Sequence, residues 1–106
     1  MSDVVIVLTT VGNAQVGEAI ARAVVEERLA ACCTISGPMA SIYRWQGDVT
    51  TDTEHQLVIK TTTGRLAALR ARVHELHSYD VPEFLVLPVS DGSPAYLDWV
   101  RQQTLP

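Results

Sequence analysis

Basic residues are scarce in this 106-residue sequence. Twelve acidic residues stand against eight basic ones, only Lys60 is a lysine, and the formal net charge is −4 at pH 7. The basic residues are also dispersed along the chain rather than clustered. Because duplex nucleic acid and anionic membrane surfaces are bound through concentrated positive charge, the sequence argues against both as partners.

Long hydrophobic runs are equally absent. The apolar run near the start covers only residues 4–8, and no positively charged segment precedes it. A membrane-spanning helix needs about 20 mostly apolar residues, and a secretory signal begins with basic ones. The sequence therefore predicts neither a signal peptide nor a transmembrane helix.

The sequence has only two cysteines, Cys32 and Cys33, and they are adjacent. Neighbouring side chains on a strand point to opposite faces, which argues against a disulfide between them. Two unpaired thiols are typical of a reducing compartment, so we expect a cytoplasmic protein. One thiol is expected to pack as a small core residue, which leaves the other as a soft metal ligand.

No catalytic motif is present. None of the serines lies in the G-x-S-x-G sequence of a nucleophile elbow. Gly12 and Gly17 have the spacing of a phosphate-binding loop, but Glu18 and Ala19 follow where that loop needs Lys and Ser or Thr. An acylphosphatase-like hydrolase would need an arginine-bearing anion loop and a positioning asparagine, and the only asparagine, Asn13, lies in a turn near Glu18. We therefore predict that the protein is not an enzyme.

What the sequence does have is a clear alternation of apolar patterns. Hydrophobic residues make up 47% of the chain, enough to form the core of a single domain over residues 1–106. Strands are predicted at residues 3–10, 30–46, 56–62 and 84–89, and the polar residues 49–54 are expected to form the outer end of a hairpin. Helices are predicted at residues 14–29, 64–77 and 95–103.

Proline, glycine and hydroxyl residues predict the local details. A kink is expected in the second strand at Gly37-Pro38, and a turn at residues 47–48. Thr63 and Ser93 are expected to cap the second and third helices. Pro88 lies inside the last strand and indicates a strand end or a sheet edge.

The predicted element order is β-α-β-β-α-β followed by a third helix. This is the ferredoxin-like plan, an α+β fold with two helices on one face of an antiparallel sheet. The predicted hairpin between the second and third strands is longer than a four-stranded ferredoxin-like domain needs. Only the C-terminal helix can cover the other face of the sheet. Exposed apolar surface and strand edges then predict an oligomer.

Residues 41–47 form the least ordinary strand. At a period of two residues, Ser41, Tyr43 and Trp45 share one face of it. One interpretation is that Tyr43 and Trp45 are core residues with a polar tip at the surface. The other is that a second copy of the chain covers this strand.

His74 and His77 lie three residues apart on the predicted second helix and could share a face. Two neutral imidazoles can begin a metal site, but zinc needs three or four protein ligands, and Glu83 or another chain would have to complete the set. Alternatively, His74 is simply exposed and His77 interacts with the carboxyl-terminal helix dipole.

Several segments of the sequence resemble the CutA divalent-cation tolerance family, at consistent spacing from the first strand to the last helix. They are Arg28-Leu29-Ala30-Ala31-Cys32, residues 41–47, Leu57-Val58-Ile59-Lys60-Thr61, residues 77–83 and Tyr96-Leu97-x-Trp99. The resemblance implies a ferredoxin-like fold in a tight homotrimer, similar in architecture to PII signalling proteins, in which the long hairpins pair strands between subunits. It also implies a role in tolerance of copper and other divalent metals, with copper binding near the subunit interfaces.

The resemblance is incomplete at the metal site proposed for some family members. That site uses a cysteine near the end of the first strand and paired histidines, where this sequence has Thr9 and Leu76-His77. Only His77 matches, and Cys32, Glu83 or another subunit would have to add ligands. Copper(II) favours nitrogen and oxygen ligands, whereas copper(I) favours thiolate. We therefore expect copper or another divalent cation to bind only weakly, through His77 and Cys32.

A PII-like signalling or small-ligand-binding module is the alternative function. Its cleft between subunits would be built from Trp45, Lys60, Tyr79 and Glu83. Two aromatic rings with one lysine and one carboxylate are suited to a small anionic or polar metabolite.

Overall fold

The computed structural model describes residues 3–106 and shows a mixed α+β fold. The elements are β1 Val4–Val11, α1 Ala14–Glu26, β2 Cys32–Trp45, β3 Asp48–Thr62, α2 Leu66–Leu76, β4 Leu85–Pro88 and α3 Pro94–Gln103. A short 3-10 helix, Thr63–Arg65, leads into α2. The order β-α-β-β-α-β followed by a third helix is the one that the sequence predicts, and it is the ferredoxin-like order.

The four strands form one antiparallel sheet in the order β2-β3-β1-β4. Among the described strands β4 pairs only with β1, so it is an edge strand, and Pro88 is its last residue. A proline has no N–H to donate to a neighbouring strand, and the edge position tolerates that loss. The prediction drawn from Pro88 is confirmed.

The main core lies between the sheet and the first two helices. Val7 and Val11 of β1 point to this side, in line with the alternation of side chains along a strand. They pack with fully buried residues of the helices and of β3: Ile20, Val24, Leu57, Ile59, Leu69 and Val73. A smaller cluster on the other side joins α3 to the sheet through Val4, Ala31 and Val100.

β2 and β3 form a hairpin that extends well beyond the rest of the sheet, and the molecule measures 44 × 25 × 22 Å. The strand register shifts between Ser36 and Met39, at Gly37-Pro38, which confirms the predicted kink. The turn is centred on Gln46 and Gly47, both with positive φ, one residue earlier than predicted. Two such residues suit the tight turn of a two-residue hairpin loop.

Two helix ends differ from the prediction, and a third agrees with it in position but not in its hydrogen bond. α1 stops at Glu26, because Arg28 has a φ of 60° and the N–H groups of Leu29 and Ala30 both donate to the Val24 carbonyl. Thr63 lies inside the 3-10 helix and caps nothing. Ser93 occupies the N-cap position of α3, but its side chain makes no capping hydrogen bond.

Within residues 3–106, no helix is long and apolar enough to span a membrane.

Candidate functional site

The candidate site is a groove between the hairpin and the loop that follows α2, which we call the hairpin groove. It has a volume of about 510 Å³. Its lining comes from the end of β1, both hairpin strands and the 79–83 loop: Thr10, Ser41, Tyr43, Trp45, Glu54, Tyr79, Asp80, Val81 and Glu83. Three of the four predicted cleft residues, Trp45, Tyr79 and Glu83, therefore meet in one place.

One wall of the hairpin groove is a single face of β2. Ser41, Tyr43 and Trp45 all line it, as their alternation in the sequence predicts. Trp45 is 57% exposed and Tyr43 is 38% exposed. The interpretation of these two rings as core residues is therefore wrong for this chain.

Tyr79 forms the facing wall. Its hydroxyl donates a hydrogen bond of 2.8 Å to Glu54 Oε2 on β3. Its ring lies over Gly12, where a Cβ atom would come within 3.2 Å of the Tyr79 hydroxyl oxygen. The glycine that the sequence places in a possible phosphate loop serves instead to let this ring approach the end of β1.

Both tyrosine hydroxyls of the groove are anchored to carboxylates. Burial, together with the bond to Glu54, raises the pKa of Tyr79 to about 12. The hydroxyl of Tyr43 donates to Asp52, which raises the pKa of Tyr43 as well. At neutral pH both side chains are therefore uncharged and act as hydrogen-bond donors.

His77 holds the 77–79 segment against the end of β1. Its Nε2 lies 2.7 Å from the Thr10 carbonyl oxygen, and its Nδ1 lies 3.0 Å from the Tyr79 backbone nitrogen. A carbonyl can only accept and a backbone N–H can only donate, so the imidazole is neutral with its proton on Nε2. The rings of His77 and Tyr79 are also in contact, with centroids 4.8 Å apart.

These bonds bear directly on the predicted metal ligands. A metal ion could bind His77 only by replacing one of its two hydrogen bonds. Cys32 of the same chain lies too far away to share a metal ion with His77. Cys32 is opposite Lys60 of β3, whereas Thr10, to which His77 is hydrogen-bonded, is opposite Gln56 of the same strand. Four residues along β3 correspond to roughly 13 Å. Among residues 3–106, no three His, Cys, Asp or Glu side chains are grouped so that they could hold a metal ion.

The fourth predicted cleft residue, Lys60, lies away from the hairpin groove. Its ammonium nitrogen is 5.7 Å from the centre of the Tyr96 ring on α3. Cys32 is in the same place, with its Sγ 3.7 Å from the Tyr96 hydroxyl oxygen. Within this chain, the side chains of Lys60 and Cys32 therefore lie against α3, on the strands β3 and β2.

The groove that remains is acidic. Among the described residues, its lining includes three carboxylates, Glu54, Asp80 and Glu83, and no lysine or arginine. Three of its other residues are aromatic. This combination disfavours an anionic ligand and favours a cation.

Sequence reasoning missed Tyr43, Glu54 and Asp80 as groove residues. Tyr43 could have been found, because it alternates with Trp45 on the same strand. Glu54 and Asp80 could not, because their place in the groove depends on the Tyr79 bond across 25 residues and on the path of the 79–83 loop.

Comparisons with known proteins agree with one another. Residues 5–103 match the sequence profile of the CutA1 divalent ion tolerance protein family. The divalent-cation tolerance protein CutA of Thermus thermophilus is 50% identical over 93% of this chain and 96% of that protein. The chloroplastic protein CutA of Arabidopsis thaliana is 41% identical over 94% of this chain, which spans 55% of that longer protein.

A solved structure extends the agreement to the fold. The crystal structure of CutA from Xylella fastidiosa superposes with a TM-score of 0.95 at 41% identity, covering 97% of this chain and 99% of that one. The family match, the sequence match and the structural match each cover more than nine-tenths of this chain. The chain belongs to the CutA1 divalent ion tolerance protein family.

Proposed function

We propose that this protein acts in divalent-cation tolerance as a homotrimer and catalyses no chemical reaction. The observation that carries the proposal is the amount of apolar surface that a single chain leaves uncovered. The family and the relative from Thermus thermophilus are both named for divalent-cation tolerance and not for an enzyme activity. The trimer, with a PII-like architecture, is what the sequence resemblance implies.

The uncovered surface includes the sheet face opposite the main core. Ile6 and Leu8 pair with Leu87 and Leu85 of β4, so the four side chains share this face, which we call the open face. Leu85 is 54% exposed and Leu87 is 43% exposed. Contiguous apolar surface at a sheet edge is typical of a protein interface.

The hairpin supports the same assembly. Ile42, Trp45 and Val49 lie near its tip, and all three are exposed in the single chain. Among the described residues, the distal part of the hairpin, residues 48–54 of β3, pairs only with β2 and not with β1. Pairing with neighbouring copies would bury these residues, and the mass in solution measured by light scattering tests this.

We further propose that copper or another divalent cation binds weakly at His77, close to a subunit interface. The proposal is supported by the family and by the retained imidazole, while Cys32 could contribute only from another subunit. Calorimetric titration of copper(II) into the wild type and the His77→Ala variant tests it. We expect His77→Ala to reduce the heat of binding and the affinity.

His74→Ala is the matched control for the copper titration. His74 is an exposed imidazole on α2 whose Nδ1 lies 2.9 Å from the Arg70 carbonyl oxygen. This variant removes the same kind of ligand from the surface and should bind copper as the wild type does. Identical isotherms for wild type and His77→Ala would rule out His77 as the ligand.

A second candidate function is a PII-like module that binds a small molecule, and the hairpin groove favours it. The groove is of the size that small ligands occupy, and Trp45, Tyr79 and Glu83 converge on it. A thermal-shift screen of nucleotides and other metabolites tests this role, because a ligand that binds only the folded state raises the melting temperature. The absence of any shift at millimolar concentrations would count against it.

We also propose a cytoplasmic location, on the grounds of the two free cysteines. Family membership alone does not determine the compartment, since the relative from Arabidopsis thaliana is named as chloroplastic. Fractionation of the native cells with an antibody against the protein tests the location.

A further inference from the structure

Arg28 ends α1 in a backbone conformation that glycine usually adopts. Its φ is 60°, in the left-handed region, and it directly follows Glu27, the C-cap residue of α1. Helices often end on a residue in this conformation, and that residue is usually glycine because a Cβ atom is crowded there. An arginine at this position therefore indicates that its side chain makes contacts that a glycine could not make.

The side chain of Arg28 reaches the last turn of α3, at the other end of the chain. Its Nη1 donates to the carbonyl oxygens of Gln102 and Gln103, at 3.5 and 3.4 Å. The last four carbonyls of a helix have no partner within the helix, and in α3 they belong to residues 100–103. Thr104 donates to the first two of them, through its hydroxyl and its backbone N–H. Arg28 therefore completes the C-terminal cap of α3, and its positive charge suits the negative end of the helix dipole.

The apolar contact of α3 with the sheet is small. Among residues 94–103, which form the helix, only Val100 is buried. At the start of the helix, the side chain of Ser93 makes no capping hydrogen bond. An ion pair of 2.7 Å joins Arg101 to Asp3, but both side chains are exposed, and such pairs contribute little to stability. The docking of α3 therefore depends strongly on the polar contacts of its last turn, to which the arginine cap belongs.

α3 lies on the side of the sheet that the proposed trimer covers. Val100 belongs to the same buried cluster as Val4 of β1. Val4 lies two residues before Ile6 of the open face, so the side chains of both point to the same side. Two exposed rings of α3, those of Tyr96 and Trp99, are in contact with each other, with centroids 5.6 Å apart. The position of α3 therefore decides where this aromatic pair lies relative to the open face.

We propose that Arg28 is the residue that positions α3, and that assembly of the trimer depends on it. Its backbone ends α1 on one side of the sheet, and its side chain holds α3 on the other side, so a single residue couples the two layers. The turn itself is fixed by Arg65, whose Nε donates a hydrogen bond of 3.2 Å to the Arg28 carbonyl oxygen. Only the part of this inference that concerns assembly rests on the proposed homotrimer.

Hydrogen–deuterium exchange of the Arg28→Gly variant, followed by mass spectrometry, tests the positioning of α3. Glycine adopts a φ of 60° without strain, so this variant keeps the end of α1 and removes only the side chain. We expect the amides of residues 98–104 to exchange about tenfold faster than in the wild type, because the hydrogen bonds from a charged group are lost. The amides of α1 should keep their protection. Arg28→Asn, which also tolerates a positive φ but is too short to reach α3, should give the same result.

Gln46→Gly is the matched control for the exchange experiment. Among residues 3–106, Gln46 is the one other non-glycine residue with a positive φ, and it lies in the turn of the hairpin. The substitution relieves the same kind of backbone strain without removing a contact to α3, so it should leave the exchange of residues 98–104 unchanged. Equal exchange of α3 in the wild type, Arg28→Gly and Arg28→Asn would overturn the proposal, as would the same acceleration in Gln46→Gly.

Light scattering over a range of protein concentrations tests the dependence of assembly on Arg28. We expect Arg28→Gly to fall below the mass of a trimer at concentrations at which the wild type remains a trimer, because α3 is no longer held in one position. A full trimer mass for Arg28→Gly, in spite of faster exchange in α3, would show that assembly does not need this residue. A monomeric wild type would instead overturn the proposed homotrimer, while the exchange of α3 would still decide whether Arg28 positions the helix.

Discussion

Cys32 and Cys33 are neighbours in β2 but lie in different surroundings. Cys33 packs against the main core, whereas Cys32 faces Tyr96 of α3. Burial, with a smaller contribution from Cys32, raises the pKa of Cys33 from its ordinary value of 9.0 to about 12. The thiol is therefore neutral in the folded protein under conditions in which the unfolded chain would ionise it.

This difference in pKa makes the stability dependent on alkaline pH. Because the folded state holds the Cys33 proton more tightly, its contribution is complete below pH 9 and is lost progressively up to the folded pKa of about 12. Between about pH 9 and pH 10 we expect Cys33 to lower the free energy of unfolding by about 1 kcal/mol. Urea denaturation of the wild type and Cys33→Ala at both pH values measures it.

The comparison between variants isolates the thiol from the tyrosines, which also ionise at alkaline pH. Cys33→Ala should lose less stability than the wild type over this interval, even though it is less stable at pH 8 because of the cavity it leaves. An equal loss in wild type and Cys33→Ala would show that Cys33 ionises normally in the folded protein.

The sequence predicts His77 as a functional residue but does not predict which groups it contacts. The sequence identifies it as the one retained imidazole, and it does lie beside the hairpin groove. Its two hydrogen bonds, however, join it to the backbone of Thr10, 67 residues away, and of Tyr79. Backbone partners leave no signature in the side-chain sequence, so the role of His77 in holding the loop became visible only in the structure.

At the scale of elements, the long hairpin was predictable and one wall of the groove with it. The strands β2 and β3 are rich in β-favouring residues, and the alternation of Ser41, Tyr43 and Trp45 predicts their common face. The other wall, formed by Tyr79 and the 79–83 loop, could not be predicted. The path of a loop between α2 and β4 depends on long-range contacts such as that of Tyr79 with Gly12. Within the single chain Lys60 lies against the Tyr96 ring of α3, and its place in a cleft between subunits stays a prediction.

Gly17 fixes the distance between α1 and the sheet. A Cβ atom there would come within 3.1 Å of Val11 Cγ2 and 3.4 Å of Leu57 Cδ1, both in fully buried side chains. We expect Gly17→Ala to lower the free energy of unfolding by about 1 kcal/mol, because the crowding of the core by the methyl group outweighs the higher helix propensity of alanine. Chemical denaturation followed by circular dichroism measures the change.

Gly64→Ala provides the matched control. Gly64 lies in the 3-10 helix, and among residues 3–106 no atom outside its two chain neighbours comes within 4 Å of the position of a Cβ there. Alanine should therefore be neutral or stabilise the protein by up to about 1 kcal/mol, since it restricts the unfolded chain. If both glycine variants behaved alike, the close packing of α1 on β1 would not be what Gly17 provides.

At the scale of the whole molecule, the two sides of the sheet are covered very differently. α1 and α2 close one side over the main core, while α3 covers only part of the other. The open face and the hairpin tip together leave large apolar side chains in contact with water in a single chain. The trimer that we propose would cover these surfaces, and so would account for a sequence that carries more apolar residues than one fold can bury.

A substitution at Leu85 tests whether β4 lies in the interface of the proposed trimer. It is 54% exposed in the single chain, so Leu85→Asp should cost the isolated fold little, but a carboxylate buried in an interface is strongly destabilising. We expect light scattering to report three times the chain mass of 11.6 kDa for the wild type and a lower mass for the variant. Val25→Asp on α1, a position that is 39% exposed on the other side of the sheet, should keep the wild-type mass. A folded Leu85→Asp protein that remains a trimer would remove β4 from the interface, and a monomeric wild type would overturn the assembly itself.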